Sequence, residues 1–131
     1  MSEIINPQDA ELEEIILGSC LIESKAITLI ADILRPEAFY NEKNLEIYAT
    51  LQSMYRNGQK IDIITVKEEL ARRGKLEFIG GPYTLAHISG RVASSAHLEY
   101  HARILKQKYI RRETILGFHK LLALAAEDRK S

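Results

Sequence analysis

Cysteine is nearly absent from this 131-residue chain, and its one thiol, Cys20, excludes an internal disulfide. Net charge is absent as well: the formal balance at neutral pH is zero. That stands against direct nucleic-acid binding, as does the lack of any recognisable reading motif. No apolar run reaches about 18 residues, so no transmembrane helix is expected. The start, Met1-Ser2-Glu3-Ile4-Ile5, has acid where a secretory signal needs base, and its apolar stretch is too short. With a single cysteine, this points to a cytoplasmic location and no membrane partner. The pattern G-x-x-x-x-G-K-[ST] is missing too, which removes the P-loop way of cradling nucleotide phosphates.

What is present is ordinary globular material, 46% hydrophobic and 27% charged, which argues against disorder. A chain of this length forms one domain and buries roughly two-thirds of its unfolded surface. Cys20 reads as a small buried hydrophobe near a helix end. The charge is unevenly laid out. Residues 1–90 carry 9 Lys and Arg against 14 Asp and Glu, whereas residues 91–131 carry 9 against 4. An acidic body with a basic end suits self-association, an anionic partner, or a solvated helix face.

Nearly every segment reads as helix. Asp9 is placed to cap a helix reaching about Leu21, with Glu11, Glu13 and Glu14 at the favourable positive end of the dipole. Leu12, Ile15, Ile16 and Ser19-Cys20 keep its period. Ser24 is placed to cap a second helix carrying Ile27, Ile30, Ala31 and Leu34, ended by Pro36 because proline disfavours helical backbone at Arg35. Phe39 and Tyr40 pack a corner. Asn41 opens a third helix, with Leu45, Tyr48, Ala49, Leu51, Gln52 and Tyr55, stopped by Asn57-Gly58.

The β-branched run at residues 61–66 is better read as a helix start than as a strand. Asp62 can cap it, and Ile61 and Val66 have hydrophobic-staple spacing; Thr65 and Glu68 offer a competing capping box. That helix reaches Arg73 before Gly74. Residues 75–81 form a connector burying Leu76, Phe78 and Ile79, and Pro82 opens a short helix to about Ile88. Ser94 or Ser95 caps a final helix from about Ala96 toward Glu127, with residues 127–131 frayed. Gly117 within it marks a bend or a close helix crossing.

The last helix has two characters. Leu98, Ala102, Leu105 and Tyr109 make a one-sided stripe against a core. From Ile115 onward, Ile115, Leu116, Phe118, Leu121, Leu122, Leu124 and Ala125 spread around well over half of the helix at about 100° per residue. A helix so broadly apolar must bury two faces. A small domain has little mass left for both, so the second face is expected to meet another chain.

A search for chemistry finds little. His97 and His101 share a helical face, but the zincin pattern needs Glu directly after the first histidine, and Glu99 lies about 200° around the helix. No third ligand is evident, and no metal site is assigned. His101 is expected beside the core and His97 near solvent. His87 and His119 lack partners for nucleophilic catalysis, and Ser94 and Ser95 lack a G-x-S-x-G elbow. The acid pairs Glu13-Glu14 and Glu68-Glu69 read as solvated surface. Gly80-Gly81 alone does not suggest a nucleotide. No catalytic or cofactor-binding residue is assigned. The basic run Arg103, Lys106, Lys108, Arg111 and Arg112 fits protein contact first, a solvated face second and DNA third.

Three punctuated segments occur in order: Ile33-Leu34-Arg35-Pro36-Glu37-Ala38-Phe39-Tyr40, the stretch from Ile61-Asp62-Ile63-Ile64-Thr65 through Gly80-Gly81, and Ser94-Ser95-Ala96-His97-Leu98-Glu99-Tyr100-His101-Ala102-Arg103-Ile104. Together they resemble the N-terminal domain of DnaB-type bacterial replicative DNA helicases, with Glu11 and Leu17-Gly18 matching the first helix. The similarity runs from about Pro7 to Leu124. Departures include Thr84, where relatives often carry an aromatic, and His97 in place of a small residue.

The resemblance implies an all-α fold: a helical head over residues 1–92 and, over 93–131, a long helix forming the first arm of a helical hairpin. It implies that hairpins pair between subunits, that three such dimers form a collar on a hexameric ring, and that the collar recruits the C-terminal domain of primase. A helicase loader is a further candidate partner. ATP and magnesium would belong to a RecA-like motor beyond residue 131, which would also make the main DNA contacts; this segment would be neither enzyme nor cofactor site. Partner or oligomer contacts would fall on Glu11, Arg111, Arg112, Ile115, Phe118, Leu121, Leu122 and Leu124. Two other readings share the residues: a stand-alone helical adaptor, such as a helicase loader or the helicase-binding domain of a primase, and a DNA-binding module using the basic run.

Overall fold

Capping side chains and left-handed glycines divide the chain where the sequence places them. The computed structural model describes the backbone of residues 7–130 and the side chains of residues 9–129; residues 1–5, read above for a signal, and Ser131 lie outside the described residues. The order is α1 (Pro7–Ile22), 3-10 turns at Ala26–Leu29 and Pro36–Ala38, α2 (Glu42–Arg56), α3 (Ile63–Arg72), α4 (Pro82–Gly90) and α5 (Leu98–Lys130). The described residues contain no strand, so the fold is all-α. No helix among them is long and apolar enough to cross a membrane.

Helix α1 lies at the centre, packed on α2, α4 and α5. Its Ile16, Leu17, Cys20 and Leu21 join Ile47, Tyr48, Leu51 and Met54 of α2, Val66 and Leu70 of α3, Leu85 and Ile88 of α4, and Leu98, Ala102 and Leu105 of α5 in one buried core. The Cys20 thiol is fully buried there, and burial pushes its pKa up to about 12.

Caps explain the starts. Asn41 Oδ1 accepts from the backbone N–H of Lys43 at 2.9 Å and of Asn44 at 3.1 Å, opening α2. Between the two boxes the sequence offers at α3, Asp62 prevails. Its carboxylate accepts from Thr65 N at 2.8 Å, and Thr65 Oγ1 accepts from Asp62 N at 2.9 Å. Gly58 and Gly74, at φ +70° and +72°, end α2 and α3.

Several expectations change. Asp9 lies inside the first turn of α1 and is no N-cap. The segment after Ser24 is a 3-10 turn followed by further turns, with no side-chain cap. Ile27, Ile30, Ala31 and Leu34 are buried as their spacing requires. The carbonyls of Ala31 and Leu34, however, are taken by α2: Tyr48 Oη donates to Leu34 O at 2.9 Å and Gln52 Nε2 to Ala31 O at 3.0 Å. Distant donors satisfy acceptors that a regular helix would satisfy locally. In the connector Ile79 is buried, but Phe78 is exposed, with Lys75 Nζ 5.4 Å from its ring centre. Helix α5 starts at Leu98, after turns in which Ser94 Oγ accepts from Ala96 N and the Ser95 carbonyl accepts from Leu98 N, each at 3.1 Å. It remains helical to Lys130, through the stretch expected to fray.

Candidate functional site

The long helix changes environment along its length. Leu98, Ala102 and Leu105 are buried and Tyr109 is half-buried, as the one-sided stripe predicts. Every residue from 113 to 129 is exposed. Ile115, Leu116, Phe118, Leu121, Leu122 and Leu124 are between 47% and 65% exposed, so neither apolar face of this arm is covered by the described residues. Gly117 has open space where a Cβ would stand, which places no close helix crossing there among the described residues.

Two seams run along the arm. Arg111, Ile115, Phe118, Leu122 and Ala125 recur at alternating steps of four and three, and so do Ile110, Thr114, Gly117, Leu121 and Leu124. The seams lie about 100° apart. Steps of four and three are the spacing with which one helix packs along another.

The base of the arm sits on α1 and on the corner at residues 39–41. Lys108 Nζ lies 3.0 Å from Asp9 Oδ1. The Arg112 guanidinium lies 5.0 Å from the Tyr40 ring centre and 5.7 Å from that of Tyr109, with Nη2 3.5 Å from Ala38 O. Beneath Tyr40 is Glu13, read from sequence as a solvated acid but in fact 1% exposed. Its carboxylate accepts from Tyr40 N at 2.7 Å, from Asn44 Nδ2 at 2.9 Å and from Asn41 N at 3.4 Å. Burial raises its pKa, partly opposed by those bonds and by Arg112. The signal was its position: residues 13, 16, 17 and 20 form one helical stripe, and the last three are core.

Glu69, from the other acid pair, is also buried, whereas Glu68 is exposed. Arg72 Nε at 3.0 Å and Arg73 Nε at 2.9 Å hold the Glu69 carboxyl down at about 2. Glu13 and Glu69 thus act as buried structural anchors, each held by its own donors.

The candidate contact residues separate into three places. Arg111, Ile115, Phe118, Leu121, Leu122 and Leu124 lie together on the exposed arm. Arg112 turns back onto the head. Glu11 belongs to another cluster, 3.9 Å from Arg91, which also pairs with Glu14 where α1 meets α4. In the basic run, Arg103 pairs with Glu99 at 2.9 Å, and Lys108 and Arg112 are engaged as above; Lys106 and Arg111 are exposed. That dispersal weakens a shared phosphate-binding face. The His97 and His101 rings lie 6.3 Å apart, edge to face. His97 is exposed and His101 half-buried, its pKa lowered by burial and then by His97. The described residues hold no group of three or more His, Cys, Asp or Glu suited to a metal ion.

This helical head with its projecting arm matches the family model "DnaB-like helicase N terminal domain" over residues 5–107. The chain belongs to that family. It is 43% identical to the replicative DNA helicase DnaB of Rhodothermus marinus over 108 residues, covering 82% of this chain and 12% of that one. It is 34% identical to the replicative DNA helicase DnaC of Bacillus subtilis over 119 residues, covering 88% and 26%. The chain thus spans about an eighth to a quarter of these relatives' lengths. The crystal structure of the N-terminal domain of DnaB helicase from Mycobacterium tuberculosis superposes with a TM-score of 0.85 at 31% identity, covering 92% of this chain and 87% of that one. A DnaB-like replicative helicase, solved in work on its interactions with primase, matches with a TM-score of 0.78 at 29% identity over 89% of this chain and 28% of that one. The DnaB family model stops at residue 107, inside α5, and the exposed apolar arm lies beyond it.

Proposed function

We propose that this DnaB-family domain is the non-catalytic assembly and recognition module of a hexameric, ATP-dependent replicative DNA helicase. Its arms join subunits into dimers, three dimers build a collar, and the collar receives the C-terminal domain of primase. ATP, magnesium and most DNA contacts belong to the motor of the whole protein, in a replisome-associated, cytoplasmic setting; a helicase loader is a further partner. The observation that carries this reading is the arm: six large apolar side chains, each 47% to 65% exposed, five of them arranged in two packing seams. The primase role is supported by the similar helicase described with primase interactions.

Light scattering across a concentration series tests the assembly. A dimer that forms with concentration is expected, and Leu121→Asp, which places a charge in one seam, shifts it toward monomer by about tenfold or more in Kd. A strict monomer at high concentration would overturn the reading.

A further inference from the structure

We propose that Lys108 and Arg112, seated on Asp9 and Tyr40, form a two-point latch that fixes the direction of the α5 arm relative to the head. The latch stands on geometry within one chain; only its consequence for pairing rests on the assembly reading above.

The buried grip on α5 ends at Leu105. One turn further, the residues facing the head are polar or amphipathic. Lys108 and Arg112, four residues apart, share a helical face, and both engage the head: Lys108 meets Asp9 of α1 at 3.0 Å, and Arg112 lies over Tyr40 at 5.0 Å. After Arg112 every described side chain of the arm is exposed. Arg112 is therefore the last point at which the head holds the helix.

Its seat is stiff. Tyr40 donates its backbone N–H to the buried Glu13 carboxylate at 2.7 Å. Its neighbour Phe39 stacks on Tyr48 with ring centres 4.8 Å apart. A buried acid thus fixes a corner, the corner presents an aromatic face, and a guanidinium packs on that face. Arginine suits this position because its planar cation stacks on a ring while a fork nitrogen reaches a carbonyl; lysine offers only a point charge.

The leverage is considerable. Residues 113–130 span about 27 Å at 1.5 Å per residue, so a tilt of about 10° at the base moves the tip by about 5 Å. A shift of that size carries an apolar seam past its partner.

Pulsed electron–electron distance measurement between spin labels tests the latch. Cysteines are introduced at two exposed positions, Glu68→Cys on α3 and Lys120→Cys on the arm, while Cys20 is buried and escapes labelling. Labelled protein is diluted into an excess of unlabelled chain so that only the intramolecular pair is read. The parent gives one narrow distance distribution. Lys108→Ala with Arg112→Ala broadens it at least twofold, and Arg112→Lys alone falls between. An unchanged width and mean in the double variant overturns the proposal. Should that variant lose its helical circular dichroism, Tyr40→Leu removes the seat from the other side, and an unchanged distribution there is equally fatal. A monomer in light scattering with the latch intact would sink only the assembly reading, so the two failures are distinct.

Discussion

Gly18 of α1 lies so close to Ile88 of α4 that a Cβ there would stand 2.6 Å from the Ile88 carbonyl oxygen, and equally close to Val92 Cγ2. One of the two obstacles is backbone in a helix and cannot swing away. The glycine sets the separation of the central helix from α4, and the sequence similarity at Leu17-Gly18 thereby acquires a physical cause. Gly18→Ala is expected to destabilise the head by about 1–3 kcal/mol through overpacking, despite the gain in helix propensity. In thermal unfolding this lowers the melting temperature by about 5–15 °C. An unchanged or higher midpoint would show that the two helices can part freely.

Glu13 gives stability a pH dependence of definite sign. Its folded pKa is raised above 4.5, chiefly by burial, so the folded state keeps a proton that the unfolded chain has already released. The contribution is fully present below about pH 4.5 and is lost as pH rises through the folded pKa. Glu13→Gln removes that titration and sets an amide donor against backbone donors, costing about 1–3 kcal/mol. In urea unfolding the advantage of glutamate over glutamine should be largest near pH 4 and shrink toward pH 7. His101 acts oppositely. Its pKa is lowered from 6.5, so its contribution is lost as pH falls below that value, and His101→Gln serves as the control. A glutamate advantage that grows with pH would contradict the assignment for Glu13.

The helix boundaries legible in the sequence were those set by local groups. Asn41, Asp62, Gly58 and Gly74 act within a few residues of themselves, so their chemistry announces their structure. The segment after Ser24 was misread because spacing alone does not distinguish a helix from a series of turns that bury the same residues. The difference lies in Tyr48 and Gln52, whose side chains cap Leu34 and Ala31 from 14 and 21 residues away. Arg112 reads in the sequence as a partner contact, and its seat on Tyr40 within the chain was not legible, because a cation over a ring 72 positions earlier leaves no periodic trace. The arm's apolar excess was visible from composition at 3.6 residues per turn, and the structure adds that the head covers neither face.

The head should therefore be indifferent to the arm's far end. Residues 113–129 are all exposed, so removing residues 114–131 takes away no buried side chain among the described residues. At low concentration the shortened chain should melt within about 3 °C of the full one, as for exposed substitutions in general. Leu105→Ala, only eight residues before the free segment, cuts into the core and should cost about 2–5 kcal/mol. Concentration separates the arm's two possible contributions. If arms pair, mass action raises the full chain's midpoint as protein is added, whereas the shortened chain's midpoint stays fixed. A shortened chain that melts far lower at every concentration would mean that the arm stabilises its own head, and the exposed seams would need another explanation.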